Sequence, residues 1–286
     1  MATVAFMVHH ARPEAADLAR DAADWLLAQG HDIRLLEADA RLAHLDRFAC
    51  EEARLCPGLD VAISLGGDGT MLRTIDLVAD GDVPVVGVNL GQLGYLTEVE
   101  PAHLHDALAE FLGGRYRLEE RMRLAVRCEA EDGAPTASSV HALNEAVVEK
   151  TAAGHTVRMA LHIDGQFFTT YAADGLILAT PTGSTAYAFS ARGPIVAPTH
   201  AAILVTPVSP HMLFDRTLVL EPSTELRAVV LGPGSAAVSV DGRAIGELVP
   251  GHAVVVRAAT HPARLVTFAP RNFLGILKAK FGLNDR

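Results

Sequence analysis

A glycine-rich turn with an acidic residue at its centre, GGDGT at residues 66–70, follows an apolar run. Glycines let backbone amides approach a phosphate closely, and the first turn of a helix offers unpaired N–H groups to an anion. The carboxylate of Asp68 repels phosphate unless it takes a proton from an attacking hydroxyl or helps to position a metal ion. The turn therefore indicates phosphoryl transfer to an alcohol. The predicted phosphate-binding residues are Gly66, Gly67, Gly69 and Thr70.

The surroundings of this turn leave alternatives open. Residues 71–78 have helical spacing, so Asp68 lies between a strand and a helix. Asp68 is either a reacting group or only a helix cap. Capping alone does not require glycine on both sides of the aspartate, which favours the phosphate site. Arg73 is either a clamp for phosphate charge or a solvated helix arginine.

A second unusual stretch, residues 174–195, places several hydroxyl groups and one aromatic ring in a short turn after an apolar run. Neutral donors and acceptors beside an aromatic ring suit a sugar or a base. The alternative is a capping turn, in which Ser184 or Thr185 begins a helix and Tyr187 is half-buried. The hydroxyl-bearing residues are Thr182, Ser184, Thr185, Tyr187 and Ser190.

Adjacent polar residues, Asn144 and Glu145, interrupt an apolar run at residues 140–150. A buried strand seldom accepts two such side chains without partners. An Asn amide pairs with adenine and an acidic side chain accepts from ribose hydroxyls, although such a dipeptide is more often a loop or a strand end. Two Asp-Gly pairs, at residues 164–165 and 241–242, are typical of hairpin turns.

Length and composition limit the function classes. A chain of 286 residues with 50% hydrophobic residues predicts a globular protein of two domains. Its net charge of −10 argues against binding to nucleic acid, and no apolar run is long enough to cross a membrane. The N-terminus lacks the pattern of a signal peptide. The three cysteines form no CxxC pair and cannot all be bridged, so we expect a reducing, cytoplasmic location.

The hydrophobic pattern changes along the chain. Strand-like runs at residues 4–8, 31–37, 59–65 and 83–89 alternate with helix-like segments, which predicts an α/β N-terminal domain with a parallel sheet. From about Arg115, short strands separated by turn residues predict a β-rich C-terminal domain. Apolar spacing predicts a final amphipathic helix near the chain end, at residues 272–281.

Three motifs together, GGDGT at 66–70, NE at 144–145 and DGLILATPTGSTAY at 174–187, resemble the NAD kinase family in order and spacing. This resemblance implies phosphorylation of the 2′-hydroxyl on the adenosine ribose of NAD, giving NADP. ATP or polyphosphate is the implied donor, and a divalent cation, expected to be Mg²⁺, assists. The resemblance also implies a homodimer or homotetramer. It implies that the chain end returns to the first domain, with one domain at 1–120 plus about 265–286 and the other at 121–264.

The resemblance also implies roles for individual residues. Asp68 is the implied proton acceptor, and Asp174 is implied to hold the nicotinamide end of the dinucleotide. His155 lies where members of the family often have a basic residue. Ala172 lies where members that use only ATP often have Lys or Arg, so the donor stays open. The implied NAD-binding residues are Asp68, Gly69, Arg73, Asn144, Glu145, His155, Ala172, Asp174, Thr185, Ala186, Tyr187 and Ser190.

Two other functions remain open on the sequence. GGDGT alone also occurs in lipid and sphingoid kinases, although these lack the TPTGSTAY element. A non-catalytic NAD sensor, in which Asp68 only caps a helix, is the alternative from a different class. Arg243, after the second Asp-Gly pair, either contacts the ligand or flanks the turn.

Overall fold

The computed structural model describes residues 1–91, 94–136, 138–152 and 154–283. The chain forms two compact units, Met1–Glu120 with Ala263–Arg286, and Arg121–Pro262. Residues 284–286, which the sequence analysis assigned to the α/β domain, lie outside the described residues. The predicted architecture, an α/β domain with a parallel sheet and a β-rich C-terminal domain, is confirmed.

The first unit is built on a seven-stranded sheet. Its strands are β1 (Thr3–Val8), β2 (Asp32–Leu36), β3 (Ala49–Cys50), β4 (Val61–Gly66), β5 (Val85–Asn89), β6 (Arg117–Arg121) and β19 (Ala263–Thr267). They lie in the order β3-β2-β1-β4-β5-β19-β6, and β1 pairs in parallel with both β2 and β4. The connections leave β1 and β4 toward opposite edges of the sheet. In open α/β sheets such a switch point is where ligands bind, at the carboxyl ends of the strands.

The first unit also contains α-helices. They are α1 (Pro13–Ala28), α2 (Glu37–Ala43), α3 (Asp68–Val78), α4 (Leu104–Leu112) and α6 (Phe273–Phe281). Pro13 begins α1 because its fixed φ suits the first helical position, and apolar residues three or four apart, such as Ala19, Ala22 and Leu26, are buried. Strand β4 is buried along its whole length, as expected for a central parallel strand with both faces covered.

The chain end returns to the first unit, as predicted: Leu265 of β19 pairs in parallel with Val85 of β5. Asn272 then caps α6 by accepting a hydrogen bond from the backbone N–H of Gly275 at 2.8 Å. The final helix is therefore confirmed, but its predicted apolar face is not. Only Leu277 of its residues is buried, whereas Leu274 and Phe281 are exposed.

The sequence pattern placed the start of the β-rich region at about Arg115, but the structure places it later. Strand β6 lies beside β19 at the edge of the first unit's sheet, and the division between the units follows Glu120. A short strand shows its β-propensity in the sequence, but its partner is decided only when the sheet assembles.

The second unit consists of two six-stranded sheets, ordered β11-β10-β15-β18-β7-β8 and β14-β13-β12-β9-β16-β17. Its elements are β7 (Leu124–Glu129), β8 (Val140–Ala142), β9 (Glu145–Lys150), β10 (Val157–Ile163), β11 (Gln166–Ala173), β12 (Gly175–Ala179), α5 (Tyr187–Ser190), β13 (Ile203–Val208), β14 (Leu218–Leu220), β15 (Leu226–Leu231), β16 (Ala236–Val240), β17 (Arg243–Leu248) and β18 (Ala253–Ala258). Apolar side chains of both sheets, among them Val126, Val148 and Leu176, share one core. Among the described residues, no helix is long and apolar enough to cross a membrane.

Candidate functional site

Asp68 is held at the carboxyl end of β4. It is the first residue of α3, and the cap position before it is Gly67. Its carboxylate accepts hydrogen bonds from the backbone N–H groups of Tyr95, at 2.9 Å, and Leu96, at 3.0 Å, which lie outside the helix. The alternative that Asp68 only caps its helix is therefore wrong. The half-buried carboxylate is fixed in direction by a segment 27 and 28 residues further along the chain.

The returning chain end holds the segment that binds Asp68. Arg271, whose side chain is 8% exposed, donates to the carbonyl oxygens of Tyr95 at 3.0 Å and Leu96 at 2.6 Å. Gly94 lies so close to Asp68 that an added Cβ would stand 2.4 Å from Oδ1. No sequence motif singled out Arg271 or Gly94, because both act only through tertiary contacts.

The glycines of the turn divide into two kinds. A Cβ on Gly66 would meet Oγ1 of the buried Thr70 at 2.1 Å, so Gly66 is needed for the packing of α3 on β4. The N–H of Thr70 bonds to the carbonyl oxygen of Gly67 at 3.0 Å. Open space lies beside Gly67 and Gly69. These two glycines therefore leave room for a ligand to approach the backbone.

Arg73 is half-buried and forms an ion pair with a buried carboxylate. Its guanidinium bonds to Asp39, which has no solvent exposure, and lies 3.0 Å from Nε2 of His10. Asp39 also accepts from the backbone N–H of Val8 at 3.0 Å. The alternative of a solvated helix arginine is wrong. Asp39 was not predicted from the sequence, because it precedes its partner Arg73 by 34 residues along the chain.

Asn144 and Glu145 lie at a bend between β8 and β9, with Glu145 as the first residue of β9. Glu145 is 7% exposed, and its Oε2 has no hydrogen-bond partner among the described residues. Burial, assisted by the charge of Asp241, raises the pKa of Glu145 to about 7, although the N–H of Tyr187 donates to the carboxylate and opposes this. A buried carboxyl oxygen without a partner is rare and points to a ligand or water.

The hydroxyl-rich turn packs against this bend. Thr180 donates its N–H to the carbonyl oxygen of Asn144 at 2.8 Å and its hydroxyl to that of Leu143 at 2.5 Å. A Cβ on Gly183 would stand 2.2 Å from the same Asn144 oxygen. The NE and TPTGSTAY motifs therefore form one structure.

The predicted cap at Ser184 or Thr185 is wrong. Residues 182–185 form a 3₁₀ turn, and α5 begins at Tyr187 after Ala186. Ser184 is buried and exchanges hydrogen bonds with the backbone of Val196, so its hydroxyl is satisfied internally. Thr185 likewise donates to the carbonyl oxygen of Thr182 at 3.2 Å. Only Tyr187 and Ser190 of the five hydroxyl-bearing residues are exposed.

Asp174 lies between β11 and β12, where Nζ of Lys150 binds its carboxylate at 2.5 Å. This hydrogen bond and charge lower the pKa of Asp174. Lys150 and the exposed His155 line a cavity of about 330 Å³, together with Arg158, which is paired in register with Ala172. Lys150, which was not predicted as a site residue, thus binds Asp174 and lines the same cavity as His155.

Comparisons with known proteins give the class of this protein. Both units match kinase domains, so the protein is an enzyme with kinase activity. Residues 4–116 match the family model described as ATP-NAD kinase N-terminal domain, and residues 143–268 match the ATP-NAD kinase C-terminal domain. The chain therefore belongs to the NAD kinase family.

Individual relatives agree with this assignment. The chain is 42% identical to an NAD kinase of Heliobacterium modesticaldum over 98% of both chains, and 39% identical to one of Geobacter metallireducens over 96% of both. Among solved structures, yeast NADH kinase complexed with NADH superposes with a TM-score of 0.90, 24% identity, and coverage of 100% of this chain and 89% of that chain. An NAD kinase from Archaeoglobus fulgidus in complex with ATP superposes with a TM-score of 0.71 at 24% identity, and the match covers 99% of both chains. The family membership excludes the lipid-kinase and non-catalytic alternatives.

Proposed function

We propose that the protein transfers the terminal phosphoryl group of ATP to the 2′-hydroxyl on the adenosine ribose of NAD, producing NADP and ADP. Family membership and the names of the relatives support the substrate pair. The observation that carries the mechanism is the carboxylate of Asp68. It is held by two backbone amides at the carboxyl end of β4, beside glycines with open space around them.

In the proposed reaction the ribose 2′-oxygen attacks the terminal phosphorus of ATP and the bond from that phosphorus to the bridging oxygen of ADP breaks. Asp68 accepts the hydroxyl proton, and ADP leaves with the electrons of the broken bond. Two amide hydrogen bonds occupy Asp68 without filling its acceptor capacity, since a carboxylate has about four lone-pair sites. Phosphoryl transfer depends mainly on alignment, so the fixed direction of this carboxylate matters as much as its basicity.

The NAD-binding role is assigned to the residues for which the resemblance implies it. Glu145 offers an unpartnered buried oxygen that suits a ligand hydroxyl, and Asn144 stands beside it at the same bend. The exposed ring of Tyr187 suits stacking on a base. Asp174 is assigned to the nicotinamide end. The remaining assigned residues are Gly69, Arg73, His155, Ala172, Thr185, Ala186 and Ser190.

A divalent cation is part of the proposal, although the described part of the chain contains no dedicated site for it. Among the described residues there is no group of three or more His, Cys, Asp or Glu side chains arranged to hold a metal ion. Mg²⁺ usually keeps several waters and binds through one or two carboxylates plus substrate phosphates. The residues of the protein therefore fit a cation only if the phosphates of ATP supply most of its ligands.

The test is NADP formation by the purified protein with NAD, Mg²⁺ and either ATP or polyphosphate. A coupled dehydrogenase that accepts only NADP reports the product, and omission of the donor is the control. We expect NADP with ATP, whereas failure with both donors would overturn the proposal. Parallel reactions with NADH determine which redox form is preferred.

The proposal also includes a cytoplasmic homodimer or homotetramer, as the resemblance implies. Light scattering coupled to size-exclusion chromatography gives the mass of the particle directly. A monomer with full NADP-forming activity would remove the oligomer from the proposal and leave the reaction in place.

A further inference from the structure

The turn between β16 and β17 contains Asp241, whose carboxylate binds three successive backbone amides. Its Oδ2 accepts from Leu143 at 2.7 Å, and its Oδ1 accepts from Asn144 at 2.9 Å and Glu145 at 3.0 Å. The N–H of Asp241 in turn donates to the carbonyl oxygen of Glu145 at 3.0 Å. Four hydrogen bonds thus join this turn to the bend that carries Asn144 and Glu145, almost a hundred residues earlier.

We propose that Asp241 is a positioning residue for the dinucleotide: it holds the backbone from which the side chains of Asn144 and Glu145 reach NAD. The inference rests on the proposed function, which assigns those two side chains to NAD. Three N–H groups that donate to one carboxylate fix the backbone conformation of the bend. Without that carboxylate, three amides would have to find other partners.

The turn alone does not explain an aspartate at this position. Asp241 and Gly242 form a two-residue hairpin connection with φ values of +46° and +78°, as in a type I′ turn. Asn-Gly is at least as favourable as Asp-Gly in such a turn. Asp241→Asn therefore keeps the turn, but it removes the negative charge and one acceptor atom, because the new amide group would direct N–H donors at the N–H of Leu143.

The same unit offers a matched control. Asp164 and Gly165 connect β10 and β11 with φ values of +50° and +77°, and Asp164 accepts from one amide, that of Glu225, at 2.8 Å. An asparagine at this position still has one oxygen for one amide. Asp164→Asn therefore repeats the chemical change in the same type of turn without disturbing the bend at Asn144.

The experiment measures the Kd for NAD by calorimetry and the steady-state constants for the wild type, Asp241→Asn and Asp164→Asn. We expect Asp241→Asn to raise Kd and KM for NAD about tenfold, equivalent to about 1.4 kcal/mol, with kcat within about threefold of wild type. Asp164→Asn should bind NAD within about twofold of wild type. A folded Asp241→Asn variant with wild-type Kd would overturn the proposal.

A second background separates positioning from general stability. In the double variant Asn144→Ala with Glu145→Ala, the side chains that Asp241 is proposed to position are removed, so adding Asp241→Asn should change Kd by less than about twofold. A full tenfold effect in that background would show that Asp241 does not act through these residues.

Hydrogen exchange in the wild type keeps the test decisive if Asp241→Asn fails to fold. The amides of Leu143, Asn144 and Glu145 should exchange at least about a hundredfold more slowly than exposed loop amides, and exchange at the rate of an unstructured chain would overturn the proposal. Wild type that binds NAD without forming NADP would contradict the proposed reaction alone. Wild type that does not bind NAD would contradict both.

Discussion

In each unit, successive backbone N–H groups bind a carboxylate at the candidate site, but these two carboxylates serve different purposes. In the first unit, Asp68 is bound by the amides of Tyr95 and Leu96, and Asp68 itself is the proposed reacting group. In the second unit, Asp241 is bound by three amides, and the proposed ligand contacts belong to the segment that donates them.

The difference shows that hydrogen bonds between backbone N–H groups and a carboxylate can either orient the carboxylate or hold the backbone in place. A reacting carboxylate must keep its direction and remain accessible, so two amides hold the half-buried Asp68. A ligand-binding side chain must instead keep an atom without a partner, as Glu145 does with Oε2. The backbone around such a side chain then needs support from elsewhere, and Asp241 supplies it. Support comes from distant residues in both units, namely Arg271 in the first and Asp241 in the second.

The largest expected effect comes from removing the proton acceptor of the first unit. Asp68→Asn keeps one amide-binding oxygen but cannot take a proton, so kcat for NADP formation should fall by about 10²- to 10⁴-fold, while the Kd for NAD stays within about threefold. Asp76→Asn, on the same helix, is the control and should keep wild-type kcat. Activity of Asp68→Asn within about tenfold of wild type would remove Asp68 from its proposed role.

The second prediction concerns the pKa of Glu145 in the second unit. Glu145→Gln is neutral at every pH, whereas the wild type must ionise a buried carboxyl. Below pH 4.5 the carboxyl is protonated in both folded and unfolded states and carries no penalty. As pH rises from 4.5 through about 7, the unfolded chain ionises first, so wild-type stability falls relative to the variant by about 3 kcal/mol.

Urea denaturation of both proteins at pH 5 and pH 8 checks this difference. The gap between the free energies of unfolding should widen from pH 5 to pH 8 in favour of Glu145→Gln. A gap independent of pH would show that folding does not raise the pKa of Glu145. Adding Asp241→Asn should narrow the gap, because the charge of Asp241 contributes to the raised pKa.

The third prediction tests the rigid contact in the second unit. Gly183→Ala would place a Cβ 2.2 Å from the backbone oxygen of Asn144, which cannot move without disturbing the bend, and should lower the free energy of unfolding by about 1–3 kcal/mol. Gly69→Ala, with open space around it at the start of α3, is the matched control for stability and should unfold no more easily than wild type. Equal stability of the two variants would contradict the close packing of the motifs.

The smallest expected effect comes from the equivalent glycine of the first unit. Gly94→Ala would place a Cβ 2.4 Å from Oδ1 of Asp68 and 2.6 Å from Oγ1 of Thr97. Both atoms end side chains that can rotate, so stability should change by less than about 1 kcal/mol. The displaced Asp68 should lower kcat about tenfold, measured by NADP formation. A variant with wild-type kcat would show that the direction of Asp68 is not critical.

The hydrophobic pattern of the sequence predicted much of the fold. The runs at residues 4–8, 59–65 and 83–89 became β1, β4 and β5, and the helical spacing at 71–78 became part of α3. The pattern did not single out residues 203–208, which form β13. That run contains a proline and packs in the centre of a sheet, where burial decides the structure more than propensity does.

The site was only partly predictable for a related reason. GGDGT and TPTGSTAY were recognisable because a strand, a turn and a helix follow one another along the chain. The cap expected at Ser184 failed because Val196 offered that hydroxyl better partners. The Asp241-Gly242 pair was predicted to be a hairpin turn, but the hydrogen-bond partners of the Asp241 carboxylate could not be predicted from the sequence.

The sequence by itself determined the order of most strands and helices and the family to which the protein belongs, since these depend on residue type and on neighbours within a few positions. The tertiary structure alone decided that Arg271 supports the segment holding Asp68, that Asp39 pairs with Arg73, and that Asp241 holds the bend at Asn144 and Glu145. These hydrogen bonds join residues from 34 to 176 positions apart, and no local pattern encodes which distant amide a carboxylate meets.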